Sequence, residues 1–125
     1  MSKKILVVDD DQSFLEELTE FLCLSGYDAM AITSAFEALK IMAEVKPDLV
    51  LLDLKMPAKS GFQLASEIRS LPGFSKIPIF AMSAFAQDET LPFLSVFGIN
   101  NYIKKPFPPA QLVEEIEKMF NNLNR

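Results

Sequence analysis

The sequence predicts an α/β domain: a doubly wound, mostly parallel five-stranded sheet covered by helices on both faces. Three observations point there. Short apolar runs alternate with segments of helical periodicity, the sequence form of a βαβ series. The most continuous run, Leu49-Val50-Leu51-Leu52, is short and uninterrupted, which suits a central strand buried on both sides. Several runs also end in acidic or hydroxylic residues, at Asp9, Asp53 and Ser83. The 125 residues have the length of one ordinary domain, read as residues 1–125.

Each element has its own signal. Ile5-Leu6-Val7-Val8 is a short β-rich run that stops at three aspartates. Gln12 to Ser25 carries Phe14, Leu15, Leu18, Phe21 and Leu22 at helical spacing and is stopped by Gly26. Tyr27 to Ile32 alternates loosely, as an edge strand does. Ser34, with Glu37 three residues on, opens a second helix that ends before Pro47. After the run at 49–52, a loop from Lys55 to Gly61 leads into a helix through Leu71, closed by Pro72-Gly73. Ile77 to Met82 and Ile99 to Ile103 read as the fourth and fifth strands. Between them, residues 87–97 form an ambiguous helix in which Pro92 fits only the first turn or a kink. Pro108-Pro109 opens a last helix with Leu112, Val113, Ile116, Met119 and Phe120 on one face.

Composition removes several function classes. Half of the residues are hydrophobic and 23% are charged, which excludes disorder as the main character. Seventeen acidic against twelve basic residues leave a net charge of −5. A general nucleic-acid binder requires the opposite sign, so direct nucleic-acid contact is not expected. One cysteine and no histidine exclude a disulfide scaffold, a thiolate or imidazole zinc site and any histidine-based triad. Cys23 is read as a packed or half-exposed helix residue. No window approaches 18 uninterrupted apolar residues, and Met-Ser-Lys-Lys meets only four apolar residues before the acidic cluster. Neither a signal peptide nor membrane insertion is expected, so the location is read as cytoplasmic.

In a parallel sheet the strand carboxyl ends share one edge, where ligands bind. Asp9, Asp10, Asp53, Ser83 and Lys105 each follow a predicted strand and therefore converge. Carboxylates gathered there repel, and a hard divalent cation such as Mg²⁺ relieves the conflict with oxygen ligands. Asp11, at the entry to the first helix, suits the positive end of the macrodipole instead. Asp53 follows the most buried strand and is the nucleophile candidate, since a carboxylate can attack phosphorus to form an aspartyl phosphate. A nearby metal and cation would neutralise the phosphoryl charge. Ser83 can donate a hydrogen bond to a phosphoryl oxygen. Lys104 and Lys105 compete for the cationic role, because adjacent strand residues point to opposite faces.

Val7-Val8-Asp9-Asp10-Asp11, Leu51-Leu52-Asp53-Leu54-Lys55-Met56-Pro57, Met82-Ser83-Ala84 and Tyr102-Ile103-Lys104-Lys105-Pro106-Phe107 resemble receiver domains of two-component response regulators, including the chemotaxis type. The likeness spans essentially the whole chain in order. It implies a flavodoxin-like sheet of order 2-1-3-4-5 and a phosphorylation-dependent switch. Asp53 would accept a phosphoryl group from a phosphohistidine on a histidine kinase or phosphotransfer protein, with intrinsic self-phosphorylation and autodephosphorylation. Asp9, Asp10, Asp53 and the Lys55 backbone carbonyl would hold Mg²⁺. Lys105, the lysine directly before proline, would contact the phosphate, and Lys105-Pro106 can be cis. Ser83 and Tyr102 would form the switch pair, moving a signalling face around the fourth helix and fifth strand toward a downstream protein target or output domain.

Two departures from the family pattern stand out. Lys55 and Phe85 flank the phosphoryl position, and a cation and a bulky ring there are expected to slow self-dephosphorylation. Leu91-Pro92-Phe93-Leu94-Ser95-Val96-Phe97 holds more apolar residues than one inner face uses. Three or four are expected in the core, and the rest form an exposed docking or dimer face. Two other function classes compete. A phosphatase with an aspartyl-phosphate intermediate, of the haloacid-dehalogenase kind, wants a second aspartate where Lys55 stands. A receiver-like interaction module that is not phosphorylated would not need the filled acidic and lysine positions. The final helix ends in Asn121-Asn122-Leu123-Asn124-Arg125, so a stand-alone receiver is one expectation and a piece of a larger regulator the other.

Overall fold

The computed structural model describes residues 2–56, 59–84 and 91–123. Strands β1 (Lys4–Val8), β2 (Asp28–Ile32), β3 (Leu49–Asp53), β4 (Ile79–Ser83) and β5 (Asn101–Lys104) alternate with five helices. These are α1 (Gln12–Leu24), α2 (Ala35–Val45), α3 (Gly61–Ser70), α4 (Leu91–Val96) and α5 (Pro109–Leu123). All strand pairs are parallel and the order is β2-β1-β3-β4-β5, as the family resemblance implied.

Period-2 alternation divides the core in two. Leu6, Val8, Val50, Leu52, Ile79 and Ala81 face α2, α3 and α4, where Ala38, Met42, Leu64, Ile68 and Leu94 complete one cluster. Ile5, Val7, Leu49, Leu51, Phe80 and Met82 face α1 and α5, against Leu15, Leu18, Leu22, Leu112 and Ile116. Every residue of β3 and β4 is buried, which is why these runs are continuously apolar, whereas β2 is a half-exposed edge. Asp11 caps α1 by accepting from Phe14 N at 3.1 Å, and Ser34 caps α2 by accepting from Glu37 N at 3.4 Å. Lys46, the residue before Pro47, closes α2 in a left-handed conformation with φ 52°.

Several expectations shift. The fourth strand starts at Ile79 rather than Ile77, because Pro78 has no N–H to give to the ladder. The fifth starts at Asn101 rather than Ile99, whose N–H turns back to the Leu94 carbonyl at 2.9 Å to close α4. In α4 only Leu94 is buried among the described side chains, with Phe97 half-buried against Phe62 at 5.2 Å between ring centroids. Phe93 is 55% and Val96 74% exposed, so these two belong to the outward set, while Leu94 and Phe97 pack toward the core and the Leu91 side chain lies outside those described. Cys23 is exposed rather than packed, with its Sγ 3.9 Å from the Ala29 carbonyl oxygen.

Arg69 joins α3 to the segment after α4. Its guanidinium donates to Gly98 O (3.1 and 2.7 Å), Phe74 O (3.3 Å) and Asn100 Oδ1 (2.9 Å). Asn100 Oδ1 also accepts from Ile79 N at 2.8 Å, so the same knot fixes the start of β4. Gly98 has φ +78°, and a Cβ there would lie 2.7 Å from Arg69 Nε, so the carbonyl can be presented only by glycine. Arg69→Met, which keeps the stem and removes the fork, is expected to lower stability by about 2–3 kcal/mol in urea denaturation, because it leaves part-buried acceptors without donors. An unchanged midpoint would show the fork to be ornamental.

Candidate functional site

Register and parity assemble the site. Val8 pairs with Leu52, so Asp9, one residue past β1, comes level with Asp53 at the end of β3. Continuing the alternation, Asp9, Asp53 and Lys105 share the α1/α5 side, with Val7, Leu51 and Ile103, whereas Ser83, Tyr102 and Lys104 fall on the other. This parity separates the two lysines: Lys104 is exposed and Lys105 turns inward.

Lys105 Nζ lies 2.5 Å from Asp9 Oδ2 and 4.0 Å from Asp53 Oδ2. Asp9 is fully buried and Asp53 is 7% exposed, while Asp10 is exposed at the rim. Carboxylate oxygens of Asp9, Asp10 and Asp53 all lie within 4.8 Å of one another. The chain following each strand supplies donors: Asp11 N to Asp9 Oδ1 at 3.0 Å and Lys55 N to Asp53 Oδ1 at 3.3 Å. Burial, followed by the neighbouring Asp9 charge, raises the Asp53 carboxyl above its ordinary range, against the pull of Lys105 and the Lys55 amide. An all-oxygen, anion-rich donor set of this kind fits a hard divalent ion such as Mg²⁺.

Ser83 is buried at the end of β4, and its carbonyl accepts from Lys105 N at 2.9 Å. Tyr102 is half-buried against the α2/α3/α4 cluster. The Lys105–Pro106 peptide is cis. The Lys55 side chain is exposed at the mouth. Phe85 lies outside the described residues. Asp11 serves as the α1 cap, as its position suggested.

Three supporting residues were not singled out for the site from the sequence. Gly61 packs so close behind Asp53 that a Cβ would lie 2.3 Å from the Asp53 carbonyl oxygen. Lys59, only 9% exposed, ties the loop after β3 to α3 through Glu67 Oε2 at 2.7 Å and sits 4.7 Å from the centre of the Phe36 ring. A lysine in a loop carries no mark of burial until its partners, eight and twenty-three positions away, are known. Phe14, read as a core-facing helix residue, has its ring centre 4.2 Å from Lys105 Nζ.

The residues now on the page are those of a known family. The response regulator receiver domain profile matches residues 5–117. The chain is 37% identical over 116 residues to the DNA-binding response regulator MtrA of Mycobacterium tuberculosis, covering 93% of this chain and 50% of that one. It is 33% identical over 118 residues to the phosphate regulon transcriptional regulatory protein PhoB of Pseudomonas aeruginosa, covering 94% and 51%. The chain thus spans about half the length of the curated relatives it matches. Among solved structures, the BeF3-activated N-terminal receiver domain of Klebsiella pneumoniae RstA superposes with a TM-score of 0.82 at 29% identity, over 92% of this chain and 96% of that one. The chemotaxis response regulator CheY4 of Vibrio cholerae superposes at 0.89 and 24% identity, over 94% and 98%, a likeness of fold alone. Names such as that of MtrA lend no support to the expectation that nucleic acid plays no part. No described helix is long and apolar enough to cross a membrane.

Two outcomes test the site's physics. Gly61→Ala is expected to cost about 2–3 kcal/mol in chemical denaturation, because backbone rather than a flexible side chain meets the new Cβ. Asp53, with its folded pKa raised, contributes stability that is present below its ordinary 3.8 and lost as pH rises through the folded value. Without divalent ions, Asp53→Asn should therefore melt higher than wild type at pH 7, with the gap closing as pH falls toward 4. A gap that is flat with pH would refute the burial argument. The chain belongs to the response regulator receiver domain family of two-component signalling.

Proposed function

We propose that residues 1–125 act as one receiver unit in the cytoplasm, accepting a phosphoryl group on Asp53 from a phosphohistidine of a histidine kinase or phosphotransfer protein. One observation carries this reading: in a chain of this family, Asp53 lies buried beside Asp9 with the Lys105 ammonium 4.0 Å away. In the step, an Asp53 carboxylate oxygen forms a bond to phosphorus as the bond to the donor imidazole nitrogen breaks, and that nitrogen keeps the electron pair. Asp9, Asp10, Asp53 and the Lys55 backbone carbonyl would hold Mg²⁺. When bound, the ion supplies neutralising charge for the phosphoryl oxygens.

The chain's own residues do the rest. Lys105 offers a cation to a phosphoryl oxygen, and the Ser83 hydroxyl offers a hydrogen bond from the opposite face of the sheet. Turning Ser83 toward the phosphoryl group changes packing beside Tyr102, and the signalling face around α4 and β5 follows. Phosphorylation shifts the equilibrium only as far as these contacts favour one state. The exposed Phe93 and Val96 make that face suited to a protein target or a dimer contact.

The relatives named as DNA-binding regulators favour a second element of the reading. This receiver serves an output domain in a longer regulator, and the acidic chain itself leaves nucleic-acid contact to that domain. A non-phosphorylated interaction module and an aspartyl-phosphate phosphatase are the alternatives. Lys55, where the phosphatase wants an acid, weighs against turnover of small monoesters.

Incubation with Mg²⁺ and a small acyl-phosphate donor should add one labile phosphoryl mass, absent without the metal and in Asp53→Asn. An unmodified wild type at saturating donor would support the interaction module, and sustained phosphate release from monoesters the phosphatase. Lys55→Asn is expected to speed decay of the adduct several-fold, followed by mass after donor removal. Unchanged decay would remove Lys55 from that role.

A further inference from the structure

The Lys105 ammonium is held on three sides. Asp9 Oδ2 lies 2.5 Å away, Asp53 Oδ2 lies 4.0 Å away, and the centre of the Phe14 ring on α1 lies 4.2 Å away. Phe14 is itself braced by Phe107, two residues past Lys105, in a T-shaped contact with ring centroids 5.9 Å apart and planes at 89°. The two rings, with Glu17 and Pro109, line a cleft of about 250 Å³ beside the acidic edge. A lysine stem left alone samples many rotamers, and nothing in a flexible stem directs the ammonium inward. An aromatic face supplies that direction without adding another carboxylate to Asp9 and Asp53.

We propose that Phe14 is a positioning residue for the phosphoryl transfer assigned to this site: its ring holds the Lys105 ammonium over the acidic pocket, ready to meet a phosphoryl oxygen on Asp53. The proposal rests on the phosphoacceptor reading above. Phe14 touches neither donor nor acceptor and acts through Lys105 alone.

Two measurements test it. In the NMR spectrum of the wild type, the Lys105 ε-methylene protons should lie upfield of those of the other lysines, shifted by the ring current of Phe14. That shift should survive in Phe14→Tyr and vanish in Phe14→Leu and Phe14→Met. Phosphorylation by a small acyl phosphate with Mg²⁺ should slow about fivefold in the Leu and Met variants and be restored by Tyr, the rate equivalent of one partly desolvated cation–π contact. A filler of space would be replaced by Leu or Met with no such pattern, and thermal melts identify any variant that fails to fold. Lys105 protons at ordinary positions in the wild type overturn the clamp. Loss of the shift with no change of rate overturns the positioning role. A wild type that shows the shift yet forms no adduct removes the phosphoacceptor reading and the positioning role with it, while the ring contact stands.

Discussion

Asp9 and Asp53 face one another from neighbouring parallel strands, one fully buried and the other nearly so, and the construction of this edge follows from keeping two carboxylates there. Burial strengthens every charge interaction in the pocket, and it also makes an uncompensated charge expensive. The sheet supplies the position through its shared carboxyl edge. The compensation comes from the chain just beyond each strand: the Asp11 amide for Asp9, the Lys55 amide for Asp53, and Lys105 for both. What remains uncompensated is visible in the raised Asp53 carboxyl. A cation that arrives there therefore meets a site already displaced from electrostatic balance.

Parity then divides the work between two faces. Asp9, Asp53 and Lys105 lie with α1 and α5, so the charge chemistry and the Phe14–Phe107 pair occupy one side of the sheet. Ser83 and Tyr102 lie with α2, α3 and α4. A change at Asp53 can reach the α4 side only through groups that sit at the strand ends, where a side chain on one face lies within reach of the other. The buried Ser83 occupies such a place at the end of β4. In the proposed switch, signal transfer across the sheet is thus confined to its edge, since the interior of β3 and β4 is packed on both sides and has no room to shift.

The fold was legible because burial on two faces leaves continuous apolar runs, and those runs at 5–8 and 49–52 lie within the strands they predicted. The acidic cluster was legible for the same reason: a strand end in a parallel sheet is a known place in space. Boundaries were less so where hydrogen bonding departs from the ladder, as at Pro78 and at Ile99, whose apolar character marks burial but not strand. The choice of Lys105 over Lys104 needed the family resemblance. Tyr102 and Ile103 are both apolar enough to face inward, and alternation has no anchor until their pairing with Ala81 and Met82 is known. Lys59 and Arg69 were illegible as structural residues, because their partners are set by tertiary contact and not by spacing. Phe14 was visible only as a core-spaced aromatic. Its contact with a lysine 91 positions away is set by tertiary packing and not by spacing.

The distribution of anchors also argues for where this receiver can yield. The start of β4, the end of α3 and the turn after α4 are tied by Arg69 and Asn100, and the loop after β3 is tied by Lys59. Against these, the described α4 has six residues and one buried side chain, with Phe93 and Val96 facing outward. Among the described side chains α4 thus carries less buried apolar area than α3 or α5, the mark of an element that yields more readily. A few charge-assisted contacts at Asp53 could not reshape the core, whose disruption is measured against the whole stability of the domain. In the proposed switch they are of the right size to bias α4, where Leu94 is the buried side chain among those described.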